Sequence, residues 1–170
     1  FAIIDAELEP RIRPLLFAEP ADAEASTKLL QQPSFSLPTL FTVEYALARL
    51  FESFGIKASA YIGHSMGEYV AACLAGVFSV RDGLRLVHLR GQLFEKTQKG
   101  KMIGVSLSEE ATRAIMPLGL SIAAVNAPEL CVASGPSNLI EVFGAELSQR
   151  DIDWTPIHID VAAHSSLLDP

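Results

Sequence analysis

Ala58-Ser59-Ala60-Tyr61-Ile62-Gly63-His64-Ser65-Met66-Gly67-Glu68-Tyr69-Val70-Ala71-Ala72 is the stretch whose reading sets the fold. Residues 58–62 read as a short buried strand, and Gly63 to Gly67 spell G-x-S-x-G directly after it. Glu68 to Gly76, with Ala71, Ala72 and Ala75, reads as a small-residue helix. Strand, pentapeptide and helix in succession are the context in which this motif carries chemistry, because a sharp turn pushes the serine hydroxyl into the open. A side chain at position 63 or 67 is expected to collide with neighbouring backbone, which accounts for both glycines. The helix behind Ser65 presents unbonded N–H groups and the positive end of its dipole to the serine oxygen. The Met66 N–H is thereby placed to be one donor to a tetrahedral oxyanion. Ser65 reads as a nucleophile. The alternative is a structural turn serine, since the motif also arises by chance in a chain with 11 glycines.

Upstream of the turn, Leu40, Val43, Leu47, Leu50 and Phe54 recur at helical spacing from Pro38, and Gly55 is a natural stop. Residues 1–36, with Pro10, Pro14, Pro20 and Pro33, read as short helices and loops. Downstream, Ser79 with Asp82 resembles a capping box and opens a helix to about Thr97. The texture changes after Gly100. Met102 to Leu107 reads as a strand, and Ser108 caps a short helix with Glu109 and Glu110 in its first turn. Leu120–Val125 and Leu130–Ser134 read as strands around an Asn126-Ala127-Pro128 turn. Ser137 is expected to cap a helix with Leu139, Ile140, Phe143 and Leu147 on one face, before a last strand at Trp154–Ile159. The order β-α-β-β-α-β is the ferredoxin-like pattern. The expected fold is α/β: a core of residues 1–100 and 157–170 built on a parallel sheet, with a ferredoxin-like lobe inserted at 101–156.

Half of the 170 residues are apolar, enough for a real core, and the net charge of -7 argues against a nucleic-acid partner, which calls for a basic face. No apolar run reaches the ~20 residues of a membrane span, and no signal peptide is evident. Cys73 and Cys131 make neither a disulfide framework nor a metal pattern and suit a reducing cytosol as small buried residues.

A nucleophilic serine requires a base. His64 is adjacent to Ser65 and points elsewhere from a sharp turn. His88 lies mid-helix and reads as a surface or packing residue. His158 reads as an ordinary strand residue. His164, on a loop after a strand, is where a positioned base is usually found. Spacing alone leaves the base unassigned.

The run Gly63-His64-Ser65-Met66-Gly67-Glu68-Tyr69-Val70-Ala71-Ala72 closely resembles the GHSxGEYVAA signature of the acyltransferase domains of type I modular polyketide synthases. Ala163-His164-Ser165 with Leu168-Asp169-Pro170 resembles the family's histidine-bearing loop. Ala124-Val125-Asn126-Ala127-Pro128 and Ala133-Ser134-Gly135 match its small lobe, and Glu44-Tyr45-Ala46-Leu47-Ala48 the helix before the turn. The resemblance implies an α/β-hydrolase-like core and makes His164 the base of a Ser–His dyad. It separates Arg90 from Arg81 and Arg85, which otherwise read alike as solvated helix arginines. Arg90 stands where the family grips the free carboxylate of malonyl-CoA, a task suited to a guanidinium fork. Met66, His64, Val161 and Ala163 complete the implied substrate-contacting set. Malonyl users of the family often carry His-Ala-Phe before the histidine and methylmalonyl users Tyr-Ala-Ser. Val161-Ala162-Ala163 matches neither, and malonyl is the leading expectation, with methylmalonyl next.

The implied reaction is ping-pong. An acyl-CoA loads Ser65, and the phosphopantetheine thiol of an acyl carrier protein takes the acyl group. No bound cofactor or metal is called for, and a ketosynthase domain is the expected neighbour in the same polypeptide. Two departures accompany the resemblance. The family's N-terminal glycine–glutamine loop, source of a second oxyanion donor, has no counterpart here, and the residues that orient the histidine would follow Pro170. The chain, opening at Phe1, is therefore expected to be truncated at both ends and a poor catalyst alone. Leu37 also replaces a usual glutamine. Two rivals remain. A serine hydrolase or thioesterase would draw its acid from Asp82, Asp151, Asp153 or Asp160, whereas a non-catalytic scaffold fragment would need no acid at all.

Overall fold

Two short helices, α1 (Ile12–Leu16) and α2 (Ala23–Leu30), lead into α3 (Pro33–Ser53) in the computed structural model, which describes residues 12–157, 159 and 161–169. Two further helices, α4 (Gly67–Leu74) and α5 (Val80–Phe94), follow in the first of two units, Phe1–Glu95 and Lys96–Pro170. The long helix α3 starts at Pro33 rather than at Pro38, which lies inside it. Proline at the first helical position loses nothing, because that N–H has no intrahelical partner. Pro38 is different: lacking an N–H, it cannot bond the carbonyl of Ser34 one turn back. The His88 ring of α5 meets that carbonyl, with Nδ1 3.0 Å from Ser34 O. Nδ1 therefore carries the proton, and Nε2 accepts from Gln92 at 3.0 Å. The Ser34 N–H donates to Glu95 Oε1 at 2.8 Å. Gly91 makes this clasp possible, since a Cβ there would stand 2.3 Å from Pro33 O.

The clasp turns one side of α3 inward. Phe41 is fully buried with Met66, Val70, Cys73, Leu84 and Val87, and Tyr45 stacks beside Phe41 with ring centroids 6.3 Å apart. The apolar residues read at helical spacing lie on the other face: Leu40, Val43, Leu47, Leu50 and Phe54 range from 44% to 70% exposed. The helix is apolar on both sides, and α5 packs on the side its glycines can approach. A second difference concerns the strand expected at 58–62. Residues 58–62 carry no ladder, and no strand occurs among the described residues of the first unit. A strand exists only with a hydrogen-bonded neighbour, and among the described residues none stands beside 58–62, so the expected parallel sheet lies outside what the structure describes.

The second unit holds β1 (Gly100–Val105), α6 (Glu109–Ile115), β2 (Ser121–Ala127), β3 (Leu130–Pro136), α7 (Ser137–Gln149) and β4 (Trp154–Ile157). The sheet order is β2-β3-β1-β4, with every neighbouring pair antiparallel. Ile103, Val105 and Ala133 of the sheet pack with Ile140, Phe143 and Leu147 of α7, and Ile115 and Trp154 lie against them. Ser108 caps α6 by accepting from the Ala111 N–H at 3.2 Å. Ser137 is the first helical residue of α7, and Pro136 occupies the cap position expected of Ser137. The tail joins this unit through an antiparallel bridge between Lys99 and Val161. His158, Asp160 and Pro170 lie outside the described residues. As a whole the chain is α/β, and no described helix is long and apolar enough to cross a membrane.

His88→Leu preserves apolar volume but leaves the Ser34 carbonyl without its donor. It is expected to lower stability by about 1–3 kcal/mol, measured by urea unfolding followed by circular dichroism. An unchanged midpoint would show that the clasp contributes nothing.

Candidate active site

Ser65 adopts φ 51, a left-handed conformation that a non-glycine residue holds at a cost of about 1–3 kcal/mol. The turn that imposes it is wound by three short-range bonds. Gly67 N–H donates to His64 O (2.9 Å), Glu68 N–H to Ser65 O (3.2 Å) and Tyr69 N–H to Met66 O (3.1 Å). Gly63 closes the turn from below. A Cβ on Gly63 would lie 2.1 Å from Gly67 C and 2.2 Å from Glu68 N, so only glycine fits. The Glu68 carboxylate reaches back to accept from the Gly63 N–H at 3.2 Å. Gly67 behaves differently from expectation: a Cβ there would meet only Glu44 Oε2, at an ordinary 3.7 Å. The backbone collision expected at both glycines occurs at Gly63 alone, because α4 leads away from the turn at Gly67.

Met66 is buried under the turn and anchors it in the core, whereas His64 and Ser65 are exposed. Met66 N–H precedes the first bonded amide of α4, at the positive end of the helix. A cleft of about 300 Å³ opens beside the turn, lined by Glu44, Tyr61, Gly63, His64, Gly67 and Val70 among others. Burial raises the Glu44 carboxyl above the usual carboxylate range. Burial likewise pushes up the Cys73 thiol.

Arg90, half-buried on α5, lies against two aromatic rings. Its Cζ is 5.3 Å from the centroid of Tyr69 on α4 and 4.9 Å from that of Phe94. It makes no ion pair among the described residues. Arg81 and Arg85 are exposed on the same helix. Asp82, one acid open to a hydrolase, is engaged in the cap of α5, where Ser79 Oγ donates to its carboxylate at 2.6 Å.

His164 belongs to the second unit. It too is left-handed, at φ 57, and exposed. The turn that carries it is pinned on both sides. Val161 and Ala162 are buried before it, and buried Ser165 follows, its Oγ donating to Ala162 O at 2.7 Å and accepting from Leu167 N–H at 3.3 Å. Ala163 is half-buried in the same turn. The first unit thus gathers Gly63, His64, Ser65, Met66, Gly67 and Arg90, and the second Val161, Ala163 and His164.

Residues 12–170 match the family model described as the acyl transferase domain. The chain belongs to the acyl transferase domain family. Its curated relatives in this family include a phenolphthiocerol/phthiocerol polyketide synthase of Mycobacterium tuberculosis, 39% identical over 155 residues, which cover 91% of this chain and 10% of that protein. Another is polyketide synthase GfsA of Streptomyces halstedii, 38% identical over 76% of this chain and 2% of its own length. Among solved structures, the acyl transferase domain of ZmaA superimposes with a TM-score of 0.81 at 37% identity, over 99% of this chain and 39% of that one. The malonyl CoA-acyl carrier protein transacylase of Burkholderia pseudomallei gives 0.86 at 29% identity, over 99% and 58%. This acyl transferase chain therefore spans about a tenth of the first of these synthases and two fifths to three fifths of the solved structures.

Sequence reasoning missed Glu68 as the acceptor for Gly63, and Tyr69 and Phe94 as the rings at Arg90. Phe94 was within reach, since an aromatic residue one turn after an arginine on a helix lies over it. Tyr69 was not, because its approach depends on how α4 packs against α5.

The two glycines are separable by substitution. Gly63→Ala forces backbone apart and is expected to destabilise the protein by about 1–3 kcal/mol or more, whereas Gly67→Ala is expected to be near neutral. Thermal unfolding of the pair measures the contrast, and equal losses would mean that the turn is closed by something other than Gly63.

Proposed function

We propose that this acyltransferase domain carries a malonyl group from malonyl-CoA to the phosphopantetheine thiol of an acyl carrier protein through an ester on Ser65, with His164 as the base. The observation that carries the reading is the left-handed Ser65 held at the mouth of α4 by a turn that only Gly63 permits. Strain at a single exposed nucleophile, over-determined by its surroundings, is a feature of reactive sites. The second left-handed turn, at His164, supports a matching role for that residue. The match to a malonyl CoA-acyl carrier protein transacylase supports the donor and the acceptor, and the synthase relatives support a carrier protein and a ketosynthase as partners.

In the proposed first half-reaction His164 takes the Ser65 Oγ proton as Oγ bonds to the thioester carbonyl carbon. Met66 N–H donates to the oxyanion that forms. The C–S bond then breaks, and the departing coenzyme A thiolate takes the proton back from the imidazolium. In the second half-reaction the carrier thiol gives its proton to His164 and attacks the ester. Collapse of the second oxyanion returns the proton to Ser65. Arg90 pairs with the free carboxylate of the donor and so fixes where the thioester carbonyl lies. His64, Val161 and Ala163 border the acyl group in this reading. Ala163 is small, which leaves methylmalonyl as the next donor after malonyl. The cytoplasm, where acyl-CoA donors are made, is the proposed compartment.

Two outcomes are expected. Incubation with malonyl-CoA adds one malonyl mass at Ser65, read by intact and peptide mass spectrometry, and Ser65→Ala removes it. Undiminished labelling in that variant would overturn the nucleophile, and release of free malonate without transfer to carrier would favour a hydrolase. Arg90→Ala is expected to cost about 2–4 kcal/mol in kcat/KM for malonyl-CoA while sparing acetyl-CoA, which has no carboxylate to lose.

A further inference from the structure

We infer that Tyr69 and Phe94 are positioning residues for Arg90, two rings that hold its guanidinium ready for the donor carboxylate and thereby set the preference for dicarboxylic over monocarboxylic acyl donors. The inference rests on the donor reading above. An arginine on a helix surface samples many rotamers, and gripping a carboxylate requires it to give them up. Arg90 is held before any ligand arrives. Phe94 lies one turn further along α5 with its centroid 4.9 Å from Cζ, and Tyr69 brings a second ring from α4 to 5.3 Å. Both distances fall within the ~6 Å over which a ring quadrupole attracts a cation. Both contacts are between a ring and Cζ, whereas a planar carboxylate pairs bidentately with the guanidinium N–H groups. No carboxylate among the described residues takes those groups in an ion pair.

The placement also couples charge recognition to the nucleophile. Tyr69 N–H closes the first turn of α4 on Met66 O, and Glu68 beside it bonds back to Gly63. The ring that holds Arg90 and the backbone that strains Ser65 are thus parts of one turn. The carboxylate end of a donor is referenced to the same rigid segment as the carbonyl it must present.

The test is kcat/KM for malonyl-CoA and acetyl-CoA in the intact protein. Tyr69→Leu and Phe94→Leu keep apolar bulk but remove the ring. Each is expected to lower kcat/KM for malonyl-CoA by about 3- to 30-fold and to change acetyl-CoA less than twofold. Tyr69→Phe and Phe94→Tyr keep a ring and are expected to restore the malonyl value. Equal losses with both donors, or losses that the ring-keeping variants share, would show a packing role and overturn the inference. Arg90→Ala keeps the two readings apart. If it separates the donors and the leucine variants do not, the rings are irrelevant and the donor reading stands. If Arg90→Ala fails to separate them, the donor reading falls and takes this inference with it.

Discussion

The contact between the Cα of Gly63 and the Gly67–Glu68 peptide is the constraint on which the site depends. No side chain fits at Gly63, where a Cβ would stand 2.1 Å from Gly67 C, so the chain can turn back on itself there. That return lets α4 start directly behind Ser65 and drives the serine into the left-handed region. A left-handed serine is uphill by itself. It persists because Met66 is locked into the core with Phe41, Val70 and Val87, and because Glu68 ties the end of the turn to its beginning. Packing and hydrogen bonding therefore hold the nucleophile in a conformation that local preference opposes.

The helices beneath the turn are held by an arrangement that answers a similar difficulty. Pro38 inside α3 leaves the Ser34 carbonyl without a helical donor, and α5 supplies one from His88 while Glu95 takes up the Ser34 N–H. These bonds act across a close backbone approach that Gly91 permits. The residues that carry α3 against α5 thus lie on the same helix as Arg90. The registration of Arg90 with the Tyr69 ring follows from helix packing rather than from any local bond.

The second unit solves its own problem by a simpler route. Its apolar residues alternate along β1 and recur along α7, so that Ile103, Val105, Ile140, Phe143 and Leu147 meet in one layer. The order of elements after Gly100 was legible because each is announced locally: Ser108 before α6, the turn after Ala127, and a helical stripe in α7. Val161 is buried and bridged to Lys99, and buried Ser165 takes up Ala162 O. Those two anchors fix a left-handed His164 between them.

The sequence by itself determined the helix boundaries marked by Gly55, Ser79 and Ser108, the element order of the second unit, and Ser65 as the residue at a sharp turn. Each of these is a short-range matter of capping, periodicity or motif, and so is written in neighbouring residues. The tertiary structure alone decided which face of α3 is buried, that residues 58–62 have no strand neighbour among the described residues, and that Gly63 rather than Gly67 is the indispensable glycine. It alone also decided that Arg90 rests on Tyr69. These outcomes depend on which segments approach each other in space. An apolar helix with two plausible faces, or an arginine among three on one helix, carries no local mark of the neighbour it will meet.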